Sequence, residues 1–172
     1  AGVFMSICTE NIISHNHIYN LPRAAICIND GTWGGHIIEY NDIHDTVRET
    51  TDHGPFNSWG RDRFWCLQQS HGPLSHSAGD VKLDAQKTTI VRNNRFVDYT
   101  WWGPVMDDGS SNYHIYNNLC IGCGIKAREG DFRLAENNII INPVDPPGFN
   151  VGYENNNDCF ARNIVVISNG DD

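Results

Sequence analysis

Lysine, leucine and alanine are scarce in this 172-residue chain, with three, six and eight copies respectively. These residues are among the strongest helix formers, so their scarcity argues against a predominantly helical protein. No apolar run approaches the roughly 18 residues of a membrane-spanning helix, so no such helix is expected. Positive charge is also limited, with 12 Lys and Arg against 21 Asp and Glu and a formal net charge of −9. Nucleic acid and anionic membranes are therefore not expected partners, because both need a basic footprint.

Signals for disulfides, metals and cofactors are few as well. Six cysteines are too few for a disulfide scaffold in a chain of this length. Eight histidines show no tight ligand spacing, and Cys120 and Cys123 lack a second pair to complete a zinc site. Walker, GxGxxG and GxSxG motifs are absent, so we expect no metal and no cofactor. The chain does not open with a signal peptide.

What is abundant is asparagine and isoleucine, with 20 and 18 copies, and they recur in a pattern. An apolar residue is followed three positions later by Asn, and usually by another apolar residue two positions after that. The pattern occurs six times, and the long interval of 53 residues corresponds to two periods or to one period with an insertion. The six asparagines are Asn16, Asn41, Asn94, Asn118, Asn137 and Asn163, separated by 25, 53, 24, 19 and 26 residues.

A period of about 20–26 residues made of short strands and turns is typical of a solenoid. Leucine-rich repeats need leucines at fixed positions, and six leucines cannot supply them. We therefore predict one all-β domain over residues 1–172, a parallel β-helix of about six rungs, which is right-handed in the family that the sequence resembles below. The repeated asparagines would form a ladder in one turn, because Asn tolerates left-handed backbone angles and its amide bonds to neighbours above and below.

In these repeats the sequence resembles the right-handed parallel β-helix proteins of the pectin-lyase-like superfamily. That resemblance implies a carbohydrate-active protein, because the superfamily contains glycoside hydrolases, polysaccharide lyases, epimerases and esterases, together with non-enzymatic adhesins and tail fibres. It also implies a secreted, periplasmic or cell-surface location. The chain begins within one apparent strand and ends within another, so we expect a fragment of a longer protein.

A second strand precedes each Asn turn, and alternation along these strands predicts one outward polar column. A second polar column is expected at the strand end. Lys126 would face the same way as Arg128, so that acidic and basic side chains cluster on two adjacent rungs. The first column contains Asn29, Asn57, Asp107, Arg128 and Gly152; the second contains Asp30, Ser58, Asp108, Glu129 and Tyr153.

The segment 51–65 is the most unusual in the chain, since it combines His, Asp, Arg and aromatic residues with glycines. It leads into a predicted inserted loop at about residues 60–86, and long loops on a rigid scaffold often carry binding residues. Four tryptophans would either stack on sugar rings or pack in the interior and against the base of the loop: Trp59, Trp65, Trp101 and Trp102. Arg61 and Arg63 would either hold polar groups of the substrate or pin the loop to Asp62 and Asp84. His53 would line the cleft as an acid, a base or a hydrogen-bond donor.

The favoured function is a glycoside hydrolase that degrades polysaccharides or oligosaccharides. Such enzymes use one carboxyl group as acid and a second as nucleophile or base. We predict Asp107 and Glu129 as this pair, with Asp108 as the substitute for either. The segments around Asp107 and Glu129 resemble those of β-xylosidases that share the β-helix fold. The predicted substrate-binding residues are His53, Asn57, Arg61, Arg63, Trp65, Lys126 and Arg128.

Two alternatives remain open. A uronate polysaccharide lyase would use Lys126 and Arg128, which resemble the basic pairs of β-helix lyases, and would need calcium to bridge Asp107 and Asp108 to the substrate. A non-enzymatic carbohydrate-binding or structural β-helix would leave the charged cluster dispensable. In each case except the purely structural one, the partner is a carbohydrate.

Overall fold

The computed structural model describes residues 1–29, 33–59, 83, 85–128, 130–144, 148–151 and 157–168. Its strands form three parallel sheets, and each sheet takes every third strand of the chain. In order along the first sheet these are β1 (Val3–Ser6), β4 (Ile26–Asn29), β7 (Phe56–Trp59), β10 (Val105–Met106), β13 (Ile125–Ala127) and β16 (Phe149–Val151).

The second and third sheets are built in the same way. The second contains β2 (Ile12–Ser14), β5 (Ile37–Glu39), β8 (Thr89–Arg92), β11 (Tyr113–Tyr116), β14 (Arg133–Glu136) and β17 (Cys159–Ala161). The third contains β3 (His17–Tyr19), β6 (Asp42–His44), β9 (Arg95–Val97), β12 (Leu119–Ile121), β15 (Ile139–Ile141) and β18 (Ile164–Val166). Three consecutive strands make one rung, so the described residues form a β-helix of six rungs, as predicted. They include no helix with the length and apolar character needed to cross a membrane.

The core is the space enclosed by the three sheets. It is filled by columns of apolar side chains, because residues in register on parallel strands lie directly above one another. In the second sheet Ile38, Val91, Ile115 and Ala135 form a fully buried column. In the third sheet the corresponding column consists of Ile43, Phe96, Cys120 and Ile140. Short β-branched strands suit this geometry, since one face of each packs inward.

A ladder of asparagines runs along the turn between the second and third sheets. Each side-chain amide nitrogen donates to the amide oxygen of the asparagine one rung further on, at 2.9–3.0 Å. The same oxygen also accepts a backbone N–H from the preceding rung. The members are Asn16, Asn41, Asn94, Asn118, Asn138 and Asn163.

The sequence prediction was wrong at the fifth ladder position, which is Asn138 rather than Asn137. Ala135 pairs with Ile115 and is fully buried, so Ala135 and not Leu134 is the inward residue from which the turn is counted. Asn137 instead has a left-handed φ of 53°. Because Asn suits both positions, the sequence pattern could not separate the two.

One buried ion pair had no counterpart in the sequence pattern. The Arg133 side chain is fully buried, and its Nε lies 2.8 Å and 3.0 Å from the two carboxylate oxygens of Asp158. Nη2 makes a further contact of 2.5 Å with Oδ2, and the Arg133 backbone N–H donates to Oδ1. This bidentate geometry offsets much of the cost of burying both charges.

Candidate functional site

A cleft of about 500 Å³ lies over the outer face of the first sheet. Its walls come from the outward side chains of β4, β7 and the residues after β10, and from the turns that lead into β4 and β7. We call it the first-sheet cleft. It is lined by Ala1, Phe4, Arg23, Cys27, Asn29, Asp52, His53, Asn57, Trp59, Asp107, Asp108 and Arg128. Five of the predicted site residues therefore meet here: His53, Asn57, Asp107, Asp108 and Arg128.

The register of the first sheet corrects the predicted columns. Asn57 pairs with Cys27 and Val105, and it is Trp59 that pairs with Asn29. Asn57 still reaches the cleft because a shift of two residues keeps a side chain on the same face. Trp59 therefore occupies the position next to Asn29 that had been predicted for Asn57.

Ser58 was predicted to face outward, and it does not. It pairs with Ile28 and Met106, two interior residues, and is buried. Its hydroxyl donates to the Ser110 hydroxyl at 2.9 Å. This hydrogen bond explains how a polar residue is accommodated inside the β-helix.

Asp107, Asp108 and Arg128 form a compact charged group at the end of β10 and β13. Arg128 Nη1 lies 3.7 Å from Asp107 Oδ1, and Arg128 Nε lies 3.4 Å from Asp108 Oδ1. Both aspartates are 9% exposed. Two carboxyl groups thus share one guanidinium in a largely desolvated setting, where electrostatic interactions are stronger than in water.

The environment of Asp107 raises its pKa. The largest cause is burial, which disfavours the charged carboxylate, and the nearby Asp52 acts in the same direction. A hydrogen bond from the Asp108 backbone and the charges of Arg128 and Lys126 act in the opposite direction without cancelling the effect. Asp107 therefore keeps its proton to higher pH than an ordinary aspartate, as a general acid must.

Both ring nitrogens of His53 make hydrogen bonds within the protein. Arg23 Nη2 lies 2.5 Å from His53 Nε2, and His53 Nδ1 lies 3.0 Å from the Thr51 carbonyl oxygen. Since Arg can only donate, Nε2 accepts and the proton resides on Nδ1. His53 therefore positions Arg23 at the cleft.

Arg23 is a cleft residue that the sequence analysis missed. The register between β4 and β7 indicates its position. Ile26 pairs with Phe56, and Arg23 lies three residues before Ile26. His53 likewise lies three residues before Phe56. Equivalent positions on successive rungs stack, so Arg23 belongs next to His53. The signal becomes visible only when the register is known.

Two asparagine oxygens in the cleft wall are buried acceptors. Asn29 Oδ1 and Asn57 Oδ1 have no hydrogen-bond partner within the described part of the chain, and Asn57 is 2% exposed. A buried acceptor without a donor is costly.

One further predicted residue, Lys126, is described but does not line this cleft. Lys126 faces outward beside Arg128, but its Nζ lies over the Trp102 ring, 2.8 Å from the ring centre, and it is not a lining residue. The predicted carboxylate Glu129 lies outside the described residues, as do Arg61, Arg63 and Trp65 with most of the predicted loop. Within the described ranges, no three His, Cys, Asp or Glu side chains are grouped as metal ligands.

Comparison with protein-family models, with curated proteins and with solved structures finds no match to this chain. The parallel β-helix architecture is therefore established by the strand pairing itself, and no family is assigned.

Proposed function

We propose that this protein is a glycoside hydrolase acting on a polysaccharide or oligosaccharide held in the first-sheet cleft. The observation that carries the proposal is Asp107: a buried carboxyl group with a raised pKa, next to Asp108 and Arg128, in a cleft of about 500 Å³. Pairs of carboxyl groups in contrasting environments are the usual acid and base of glycosidases.

Asp107 has the role of general acid. It donates its proton to the glycosidic oxygen as the bond from that oxygen to the anomeric carbon breaks. The second carboxylate then attacks the anomeric carbon or removes a proton from the attacking water. Asp108 is suited to this role because Arg128 lies 3.4 Å away and stabilises its negative charge. Glu129 stays a candidate for the same role.

The cleft wall also suits a sugar. Trp59 is a lining residue whose indole can pack against the C–H face of a pyranose ring. Asn29 and Asn57 also line the cleft, and an amide group can both donate to and accept from sugar hydroxyl groups. Arg23, held by His53, adds a donor at the edge of the cleft.

A hydrolase is favoured over the lyase alternative for two reasons. The negatively charged Asp108 in the cleft would repel the carboxylate of a uronate substrate. Lys126, which a lyase would need as base, is engaged with Trp102 instead. The charges of the cleft thus favour a neutral sugar at the point of cleavage.

The test is a screen of the protein against neutral and uronic-acid polysaccharides, following reducing ends together with the ultraviolet absorbance of unsaturated products. We expect reducing ends without absorbance. Asp107→Asn should lower kcat/KM by a factor of about 10²–10⁴, the usual effect of losing a general acid. Glu10→Gln is the matched control: Glu10 is an exposed carboxylate paired with Lys87 outside the cleft, and its loss should leave the activity unchanged.

Two results would overturn the proposal. If absorbance rises together with the reducing ends, the protein is a lyase. If no polymer in the screen is cleaved, the cleft does not perform hydrolysis. Retardation of the protein in polysaccharide-containing gels that is lost in Trp59→Ala would then identify a binding module.

A further inference from the structure

Two histidines meet on the outer face of the third sheet, away from the first-sheet cleft. His17 lies in β3 and His44 in β6, one rung further along the chain. Their Nε2 atoms are 2.7 Å apart. Because the residues are separated by 27 positions, only the stacking of rungs brings them together, and the sequence spacing gave no indication of a ligand pair.

The orientation of His44 is set by a carboxylate. His44 Nδ1 lies 2.8 Å from Asp45 Oδ2, so Nδ1 carries the ring proton and its N–H donates a hydrogen bond to the Asp45 carboxylate. His44 Nε2 therefore presents its lone pair, and His17 Nε2–H donates to it. A histidine whose far nitrogen is held by a carboxylate is the arrangement by which proteins orient metal-binding imidazoles.

Ring stacking holds both imidazoles in place. The Tyr19 ring stacks on His17 with centroids 4.6 Å apart and on His44 with centroids 5.2 Å apart. The pair is nevertheless accessible, since 57% of the His17 side chain and 25% of the His44 side chain are exposed. The pair therefore lies at the surface, where an ion from solvent can compete with the hydrogen bond between the two Nε2 atoms.

We propose that His17 and His44 bind one divalent transition-metal ion through their Nε2 atoms. Imidazole nitrogens bind Zn²⁺, for example, at about 2.0–2.1 Å, so two of them on one ion lie at most about 4.2 Å apart. The observed Nε2–Nε2 distance is 2.7 Å and the ring centroids are 4.9 Å apart, so the two Nε2 atoms face each other. Binding an ion between them therefore requires the side chains to separate by up to about 1.5 Å. On binding, the proton of His17 Nε2 passes through solvent to Nδ1, and the ring stays neutral.

Solvent completes the coordination of this ion. The described residues contain no preformed group of three His, Cys, Asp or Glu ligands, so water fills the remaining positions. Asp42 Oδ2 lies 4.0 Å from His17 Nε2 and adds negative charge nearby. Nitrogen ligands select Zn²⁺, Ni²⁺ or Cu²⁺ over Ca²⁺ and Mg²⁺, which prefer oxygen.

Titration calorimetry with Ni²⁺ on the full chain tests this site directly. We expect one ion per chain, with binding lost in His17→Gln and in His44→Gln. Asp45→Asn should weaken binding by about 10–100-fold, the usual effect of removing a carboxylate that orients a ligand. Asn accepts the left-handed φ of 49° at this position, so the backbone should be preserved.

His15→Asn is the matched control. His15 is exposed, lies two residues before His17 and stacks on Tyr40, outside the pair. The His15→Asn variant should bind Ni²⁺ as the wild type does. The proposal fails if the wild type binds no Ni²⁺, if both glutamine variants bind it unchanged, or if Ca²⁺ binds at the pair as tightly as Ni²⁺. None of these results depends on whether the first-sheet cleft cleaves glycans.

Discussion

Burial of a carboxyl group in the first-sheet cleft has a cost to folding. Asp107 is largely withdrawn from water, and burial is the main reason that its pKa is raised. A carboxyl group in that position disfavours the folded state whenever it is ionised. The proposed role of Asp107 as general acid and the stability of the fold therefore make opposite demands on this residue.

The raised pKa of Asp107 predicts a pH-dependent stability difference. Because the folded state holds this proton at a higher pH than the unfolded state does, the free energy of unfolding falls as the pH rises from the ordinary value of 3.8 through the raised one. The Asp107→Asn variant does not show this fall in the free energy of unfolding, because an amide does not ionise. The variant should gain stability relative to the wild type as the pH increases toward neutrality, as measured by urea unfolding over a pH series.

The exposed Glu10 offers the control for this series. Glu10→Gln should follow the wild-type curve closely through the pH range in which the Asp107→Asn curve diverges from it. If the curves of wild type and Asp107→Asn run parallel, burial does not raise the pKa of Asp107 and its role as general acid loses support.

Among the structural elements, the turn between the second and third sheets has two adjacent positions with different needs. The first is a left-handed residue, with φ near 53–58° at His15, Tyr40, Asn93, Asn117, Asn137 and Arg162. The second is the buried ladder asparagine. The first position requires a backbone conformation, and the second requires an amide that both donates and accepts.

Substitutions at Asn137 and Asn138 separate these roles. Asn138→Ala removes an oxygen that accepts two bonds from Asn118 and an amide that donates to Ile115 O and Asn163 Oδ1. We expect it to lower the free energy of unfolding by at least about 2 kcal/mol, because buried partners are left unsatisfied. Asn137→Gly should change it by less than about 1 kcal/mol, because glycine adopts positive φ readily.

Chemical denaturation of both variants provides the measurement. A larger loss for Asn137→Gly than for Asn138→Ala would mean that the ladder runs through residue 137, as the sequence pattern alone had indicated.

The whole molecule is a stack in which each rung contacts the rungs on either side. Such a solenoid has no single central cluster, so its stability is a sum of rung and neighbour terms. An interior residue with rungs on both sides should matter more than one on the last described rung.

Phe96 and Phe160 are a matched pair for this expectation. Phe96 is fully buried between Ile43 and Cys120, whereas Phe160 is 38% exposed and stacks on Phe149. Phe96→Ala should lower the free energy of unfolding by about 3–5 kcal/mol, the usual cost of such a cavity. Phe160→Ala should cost less than half of that in guanidinium unfolding. Equal losses would contradict the stack.

Part of the candidate site could be predicted because side chains alternate between the two faces of a strand, which is a local property of the sequence. Asp107 and Arg128 were assigned to one outer face from strand parity and Asp108 from its place at the strand end, and the three meet in the cleft. Arg23 was missed, and Asn57 and Ser58 were assigned to the wrong columns, because the register between rungs depends on turn lengths that parity does not determine. Glu129, Arg61, Arg63 and Trp65 stay predictions.

The sequence by itself determined the architecture: its repeated apolar residues and asparagines specify parallel rungs and a polar ladder, because each repeat obeys the same local rules. The tertiary structure decided which residues become neighbours. It selected Asn138 over Asn137, placed Arg133 beside Asp158 and joined His17 to His44. These contacts span 20 to 27 residues, and only the packing of one rung upon the next sets their distances.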